Sequence, residues 1–334
     1  MLGAPSGSPA GEHRATDVQE QLGSELAGVE RLIAGISDEV DVPLLGQLLR
    51  HILRPPGKRL RPRLAFLSSR LGHANVRTVT LLGTAVELLH TASLIHDDLV
   101  DESATRRGAP TLHQIASPKA TVLVGDYLFA KSAALATATD SLAVMALFAR
   151  TLMAICDGEL REVANAEAGD LSREQYFRRI EGKTASLFVA ATEGGAILAD
   201  LRSDGIEAMR QYGLNLGMAF QIADDVLDLT GSVEVLGKPV GSDLRQGTIT
   251  LPVLWAIENL SDPLIGAAVA GEITAPALFD QAIARIAGSA AIDHAMGEAM
   301  RYAGRAREAL SAFPHGEARR TLELMADYSA QRHR

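Results

Sequence analysis

The stretch Leu94–Ser103 reads LIHDDLVDES, and residues 221–230 echo it as QIADDVLDLT. Each sets three aspartates as D-D-x-x-D inside an apolar run. At about 100° per residue, Asp97, Asp98 and Asp101 share one face of a helix, and Asp224, Asp225 and Asp228 repeat the arrangement. His90, seven residues before Asp97, lies on nearly the same line, and Gln221 lies on the second arc. Crowded carboxylates repel one another, and isolated buried charge costs on the order of several kcal/mol. The neighbours (Ala92, Leu94, Ile95; Ile222, Ala223, Val226, Leu227) are too apolar for an ordinary wetted surface. One triplet alone could be a solvated acidic helix end; two matched triplets, each in an apolar helix, call for a cation. Clustered oxygen donors select hard ions, and Mg²⁺ takes one or two carboxylates together with water and phosphate oxygens.

Outward from these runs the same helical spacing recurs. Apolar residues stand three and four apart over 18–53, 78–100, 120–139, 142–165, 173–199, 206–228, 251–259 and 275–312, and Ala-rich composition supports helix at most of them. Strand-like alternation is nearly absent. Pro55 and Pro56 stop the first run, and Gly72, Gly108 with Pro110, Asp170, Asp204 with Gly205, and Gly231 to Gly247 punctuate the rest. Residues 1–16 (MLGAPSGSPAGEHRAT) read as a disordered lead-in. No composition shift divides the remainder, so the expectation is an all-α fold with one helical domain over 17–334.

The chain has 334 residues, 47% of them hydrophobic, which is ample for a packed core. Its net charge of −9 would repel nucleic acid and anionic membranes, so an anionic substrate must be held locally. The longest stretch without Asp, Glu, Lys or Arg is the 13 residues 211–223, too short for a bilayer, which needs about 18. The single Cys156 excludes an internal disulfide and suits a reducing compartment; its expected place is the core. With no signal-peptide pattern either, the expected location is the cytoplasm.

Bases cluster in a few short spots. Gly57-Lys58-Arg59-Leu60-Arg61-Pro62 packs three cations into four residues, and Arg106-Arg107 follows the first triplet in a Gly/Pro loop. Lys183-Thr184 opens an apolar stretch, and Lys238 follows the second triplet in LGKPVGSDLRQG. Any one of these reads as a solvated loop charge. Only five lysines stand against 27 arginines, and three of the five fall in such spots framed by apolar helices, a pattern suited to phosphate oxygens.

Together GKRLRP, HTASLIHDDLVDESATRRG, KTASLF, FQIADDVLD and GKPVGSDLRQG, in that order, resemble the trans-isoprenyl diphosphate synthases of the polyprenyl synthetase family, from about residue 25 onward. The resemblance implies a barrel of long helices around a deep central cavity, usually as a homodimer. It implies head-to-tail 1'-4 condensation of isopentenyl diphosphate onto an allylic diphosphate. By the same resemblance, Asp97, Asp98, Asp101, Asp224 and Asp225 would bind about three Mg²⁺ ions, with Asp228 closing the second motif. Arg106, Lys183, Thr184, Gln221 and Lys238 would contact the allylic diphosphate. Lys58, Arg61, His90 and Arg107 would hold isopentenyl diphosphate. Two departures from the family pattern stand out: Pro56 replaces one glycine of the usual pair, and Thr248 stands after Gly247 where a lysine is common.

In this family the fourth and fifth residues before the first aspartate gate product length. Here they are Ser93 and Ala92, both small, and a helical turn of about 5.4 Å is close to one isoprene unit. Leu89 is a deeper constriction and Phe148 a candidate floor, although ordinary core packing explains Phe148 as well. The open gate resembles medium- and long-chain enzymes, with geranylgeranyl output as the alternative. A class I terpene cyclase would carry a different second metal motif and no second diphosphate pocket. A non-catalytic subunit of a heteromeric synthase would typically lose triplet carboxylates, and all six are retained.

Overall fold

Asn75 and Ser117 start two of the principal helices: each side chain accepts an N–H of the first turn, from Arg77 and Ala120, and in the second case Pro118 follows at the first helical position. The computed structural model describes residues 22–55, 57–106, 108–168, 172–232 and 239–330. The lead-in expected over 1–16 lies outside them. In chain order the helices are α1 (Gly23–Gly35), α2 (Pro43–Leu53), α3 (Leu60–Ser69), α4 (Val76–Val100), α5 (Leu112–Ile115), α6 (Pro118–Thr137), α7 (Leu142–Ala168) and α8 (Arg173–Ile180). A π-helical turn at Glu181–Ala185 leads into α9 (Ser186–Leu198), followed by α10 (Ser203–Thr230), α11 (Ser242–Arg245), α12 (Leu251–Asn259), α13 (Pro263–Val269), α14 (Pro276–Ala287), α15 (Ala291–Ala309) and α16 (Glu317–Ser329). Among the described residues the only strands are β1 (Thr105–Arg106) and β2 (Ala109–Pro110), an antiparallel pair after the first triplet.

Three predicted runs divide. The run over 18–53 breaks between α1 and α2, where a 3₁₀ turn at Ile36–Asp38 intervenes and Pro43 restarts the helix. That over 173–199 is interrupted by the π-turn, and that over 275–312 by Gly288. Helix α3 carries no periodic signal because Pro62 and every residue from Leu64 to Ser69 are buried, leaving no polar stripe to read.

The core is layered around α4, α9 and α10. Helix α4 packs along α6 and α3, α9 lies between α3 and α10, and α10 runs beside α15. Leu88, Leu89, Ala92, Phe188 and Tyr212 are wholly buried in the main cluster. Helix α4 is long and apolar enough to cross a membrane, but two thirds of its most apolar window is buried inside the fold. Its apolar surface is already covered by neighbouring helices.

Candidate active site

Both aspartate triplets fall at the C-terminal ends of their helices. Asp101 caps α4, its N–H donating to the Asp97 carbonyl, and α10 ends two residues after Asp228. The helix dipole places partial negative charge at these ends. Three of these carboxyls, those of Asp97, Asp101 and Asp225, are raised above the ordinary aspartate range. Burial pushes the Asp97 carboxyl up to about 7, with Glu159 and Asp101 adding to the effect and Lys183 opposing it. Asp101 is raised for the same first reason. Asp225 is also pushed up to about 7, by burial and then by Asp243, against its bonds from Tyr176 and Gln221.

The protein supplies some of the missing positive charge itself. Arg106, on β1, donates from Nε to Asp98 Oδ1 at 2.7 Å. Lys183 Nζ lies 2.9 Å from Glu159 Oε2, 3.0 Å from Glu162 Oε2 and 3.8 Å from Asp97 Oδ2. Burial works against its ammonium, yet Asp97, Glu162 and Glu159 together hold its pKa above the usual lysine range.

The π-turn gives Lys183 this position. A Cβ on Gly182 would lie 2.6 Å from the Ala154 carbonyl oxygen, and one on Gly158 would lie 2.7 Å from the Lys183 nitrogen. The two glycines let the turn and α7 touch backbone to backbone, which sets Lys183 against the α7 carboxylates. A π-turn inside a helix often marks a functional site.

Glu159 and Glu162 escaped the sequence reading. Their signal was present in Gly158-Glu159-Leu160-Arg161-Glu162, two acids three apart on a mostly apolar helix, but D-D-x-x-D outshone it. Burial raises the Glu159 carboxyl. It opposes ionisation of Glu162 as well, but Lys183 and Arg179 outweigh it and hold that carboxyl below the usual range. Thr248, at the position where a lysine was expected, donates its hydroxyl to Glu162 Oε1 at 3.1 Å.

Thr184, the next residue, joins this side to the second triplet. Its hydroxyl donates to Gln221 Oε1 (2.7 Å), Gln221 Nε2 donates to Asp225 Oδ1 (2.8 Å), and the Tyr176 hydroxyl donates to Asp225 Oδ2 (2.7 Å). Asp224 is exposed, whereas Asp225 and Asp228 are buried. Asp228 turns toward the following loop, where Oδ2 accepts the Asp243 N–H at 3.2 Å and its carbonyl accepts the Gly241 N–H at 2.8 Å.

The remaining bases are distributed as follows. The Arg61 guanidinium stacks over the Phe188 ring at 5.3 Å, one turn past Thr184. Lys58 is exposed, and His90 is half-buried on α4. Arg59, between them, is buried and pairs with Glu30 and Glu87, so one of the three adjacent cations is structural. Arg107 and Lys238 lie outside the described residues. Ala92 and Leu89 are fully buried, and the Ser93 hydroxyl is spent on the His90 carbonyl (2.9 Å). Phe148 is buried in the same cluster. Cys156 is not a core residue: it is exposed on the outer face of α7. Two surface grooves of about 630 and 530 Å³ share Glu181, and no triplet aspartate lines either.

A hard divalent cation suits this set. The donors are all oxygen, and Glu159 Oε1 is a buried acceptor with no hydrogen-bond partner. Among the described residues no three acidic, histidine or cysteine side chains close a cage unaided. That fits an ion completed by water and phosphate oxygens, the habit of Mg²⁺.

Comparison with known proteins points to one family. The polyprenyl synthetase family model matches residues 42–286. Component 2 of heptaprenyl diphosphate synthase from Geobacillus stearothermophilus is 36% identical over 93% of this chain and 97% of its own. Octaprenyl diphosphate synthase from Haemophilus influenzae is 37% identical over 87% of this chain and 89% of its own. A polyprenyl synthase from Caulobacter crescentus, solved with calcium and isoprenyl diphosphate, superposes with a TM-score of 0.89 at 39% identity, covering 99% of this chain and 100% of that one. Two acidic helix ends linked through one Lys-Thr turn, on an all-helical frame shared with these proteins, place this chain in the polyprenyl synthetase family.

Proposed function

We propose that this chain is a trans-prenyltransferase that condenses isopentenyl diphosphate with an allylic diphosphate, head to tail, into a polyprenyl diphosphate of medium or long chain. The observation that carries this reading is the Lys183-Thr184 turn, whose first residue faces Asp97 and whose second reaches Asp225 through Gln221. A group bound at that turn meets both acidic ends at once.

In this reading Asp97, Asp98, Asp101, Asp224 and Asp225 would hold about three Mg²⁺ ions, with Asp228 securing the loop beyond them. Bound Mg²⁺ supplies charge neutralisation for the leaving diphosphate. Lys183 and Arg106, held by carboxylates in this structure, would donate to the diphosphate oxygens. Thr184 and Gln221 orient the same diphosphate, and Lys238 adds a further charge. These contacts strengthen as the allylic C–O bond ionises and charge builds on the leaving group. Lys58, Arg61, His90 and Arg107 hold isopentenyl diphosphate so that its double bond attacks the allylic cation at C1. A proton then leaves, to the departing diphosphate. No side-chain nucleophile is needed.

Ala92 and Ser93 leave the first layer below the aspartates without a bulky plug, and relatives named as heptaprenyl and octaprenyl synthases support a long product. We also infer a homodimer. Leu142, Ala146, Ala149, Met153, Cys156, Leu160 and Val163 are all exposed on α7, spaced four and three apart and without a charge. That is the seam of a helix pairing with a second copy of itself. A reducing cytoplasm suits the exposed thiol.

The test is chromatography of products formed from labelled isopentenyl diphosphate with farnesyl or geranylgeranyl diphosphate and Mg²⁺. The expected products have seven or more isoprene units. A single addition ending at geranylgeranyl diphosphate would overturn the chain-length reading. Asp97→Asn and Asp224→Asn are each expected to reduce turnover by about a thousandfold or more while the far-ultraviolet circular dichroism is unchanged. Wild-type rates in both would end the metal assignment.

A further inference from the structure

We propose that Tyr176, on α8, is a positioning residue for the allylic diphosphate: through Asp225 it fixes the side-chain amide of Gln221 in the orientation that binds. This rests on the reading of Thr184 and Gln221 as diphosphate contacts.

Asp225 accepts on both oxygens, from the Tyr176 hydroxyl on one and from Gln221 Nε2 on the other. Gln221 must therefore present its nitrogen to Asp225 and its oxygen to Thr184. One of its N–H groups is then spent and the other remains to donate to a phosphate oxygen. An amide turned the other way would set its oxygen against the carboxylate and face the substrate with the wrong polarity. The orientation of one amide thus depends on a carboxylate that is itself held by one tyrosine hydroxyl.

That hydroxyl is well anchored. Tyr176 is 3% exposed, and the Arg179 guanidinium lies over its ring at 5.6 Å. Arg179 in turn pairs with Glu162 and donates to the Ile249 carbonyl at 3.1 Å. One turn of α8 is therefore fastened to the carboxylates around Lys183 and, through Tyr176, to those of α10. Without the hydroxyl, Asp225 keeps a single partner, can turn within its pocket, and no longer dictates how Gln221 points.

The test is calorimetric titration of the full-length protein with inorganic diphosphate in saturating Mg²⁺, alongside steady-state kinetics. Tyr176→Phe is expected to weaken diphosphate binding by about tenfold, the scale of losing a hydrogen bond to a charged group, and to raise KM for the allylic substrate alone. Tyr212→Phe is the control: that tyrosine is equally buried and loses a comparable bond, to the Leu322 carbonyl, yet diphosphate binding should not change. The double variant Tyr176→Phe/Asp225→Asn should lose no more than the worse single variant, because both act through one chain. Wild-type affinity in Tyr176→Phe, or additive losses in the double variant, would overturn the proposal. If Tyr176→Phe does not fold, Asp225→Asn alone decides, with unchanged diphosphate affinity counting against. A wild-type protein that binds no diphosphate would instead refute the functional reading beneath it.

Discussion

The Nζ of Lys183 lies 3.8 Å from the Oδ2 of Asp97, with Glu159 and Glu162 closer still on its other side. One cation is shared by three carboxylates, Asp97 near the C-terminal end of α4, where the helix dipole disfavours it, and Glu159 and Glu162 on α7. In the absence of substrate the site is thus under electrostatic tension, which divalent ions and bases relieve.

Removing that cation should cost stability as well as activity. Lys183→Ala is expected to destabilise the ligand-free protein by about 1–3 kcal/mol, the scale for leaving buried carboxylates without a partner. Adding Glu159→Gln should restore part of the loss, since one of the stranded charges is gone. Urea unfolding of the single and double variants checks this, with Mg²⁺ chelated throughout.

The raised carboxyls also set a pH dependence. Burial pushes the Asp97 and Asp225 carboxyls up to about 7 from an ordinary value of 3.8, so between about pH 4 and 7 the folded state binds more protons than the unfolded one. Their contribution to stability is complete below pH 4 and is lost as pH rises through 7. The melting temperature of the chelated protein should accordingly fall between pH 5.5 and 8 more steeply than that of Asp97→Asn. Protons compete with metal at the same oxygens, so the Mg²⁺ concentration for half-maximal activity should rise as pH drops below 7. Pyrophosphate-release assays across a pH and Mg²⁺ grid would show it.

Arg59 makes a prediction of the opposite kind. It adopts a left-handed backbone conformation (φ +47°) and binds Glu30 at 2.6 Å and Glu87 at 3.1 Å from a buried position. Glu87 is itself buried. Arg59→Met should lower stability by about 3 kcal/mol by stranding that carboxylate, with both KM values within about twofold of wild type. Lys58→Ala, its neighbour, should do the reverse, raising KM for isopentenyl diphosphate with little effect on the melting temperature.

The exposed seam on α7 predicts an assembly. Leu160 is 68% exposed and Met153 64%, and Met153→Glu with Leu160→Glu should convert a dimer into a monomer in sedimentation velocity. A monomeric wild-type protein would dismiss the seam as an interface between copies.

The helices over 78–100, 206–228 and 251–259, and both aspartate faces, were readable in the primary sequence, because amphipathic spacing and D-D-x-x-D are local patterns. Arg106 and Gln221, beside those motifs, and Lys183-Thr184, in KTASLF, were also identifiable there through the family resemblance. Helix α3 was not, since a segment buried on every side has no period. Nor were the places where one predicted run becomes two helices, because proline and glycine mark a break without fixing its geometry.

Local chemistry in the sequence alone determined that this protein is helical, acidic at two matched points and in need of a cation. Only the tertiary structure decided which groups share that charge. Glu159 and Glu162 reach Lys183 because Gly158 and Gly182 let two backbones touch. Tyr176 reaches Asp225, 49 positions away in sequence, and Arg59 separates from Lys58 and Arg61 to serve the core. Spacing reports which side chains share a helix face. Packing between helices, which depends on every intervening contact, decides what that face meets.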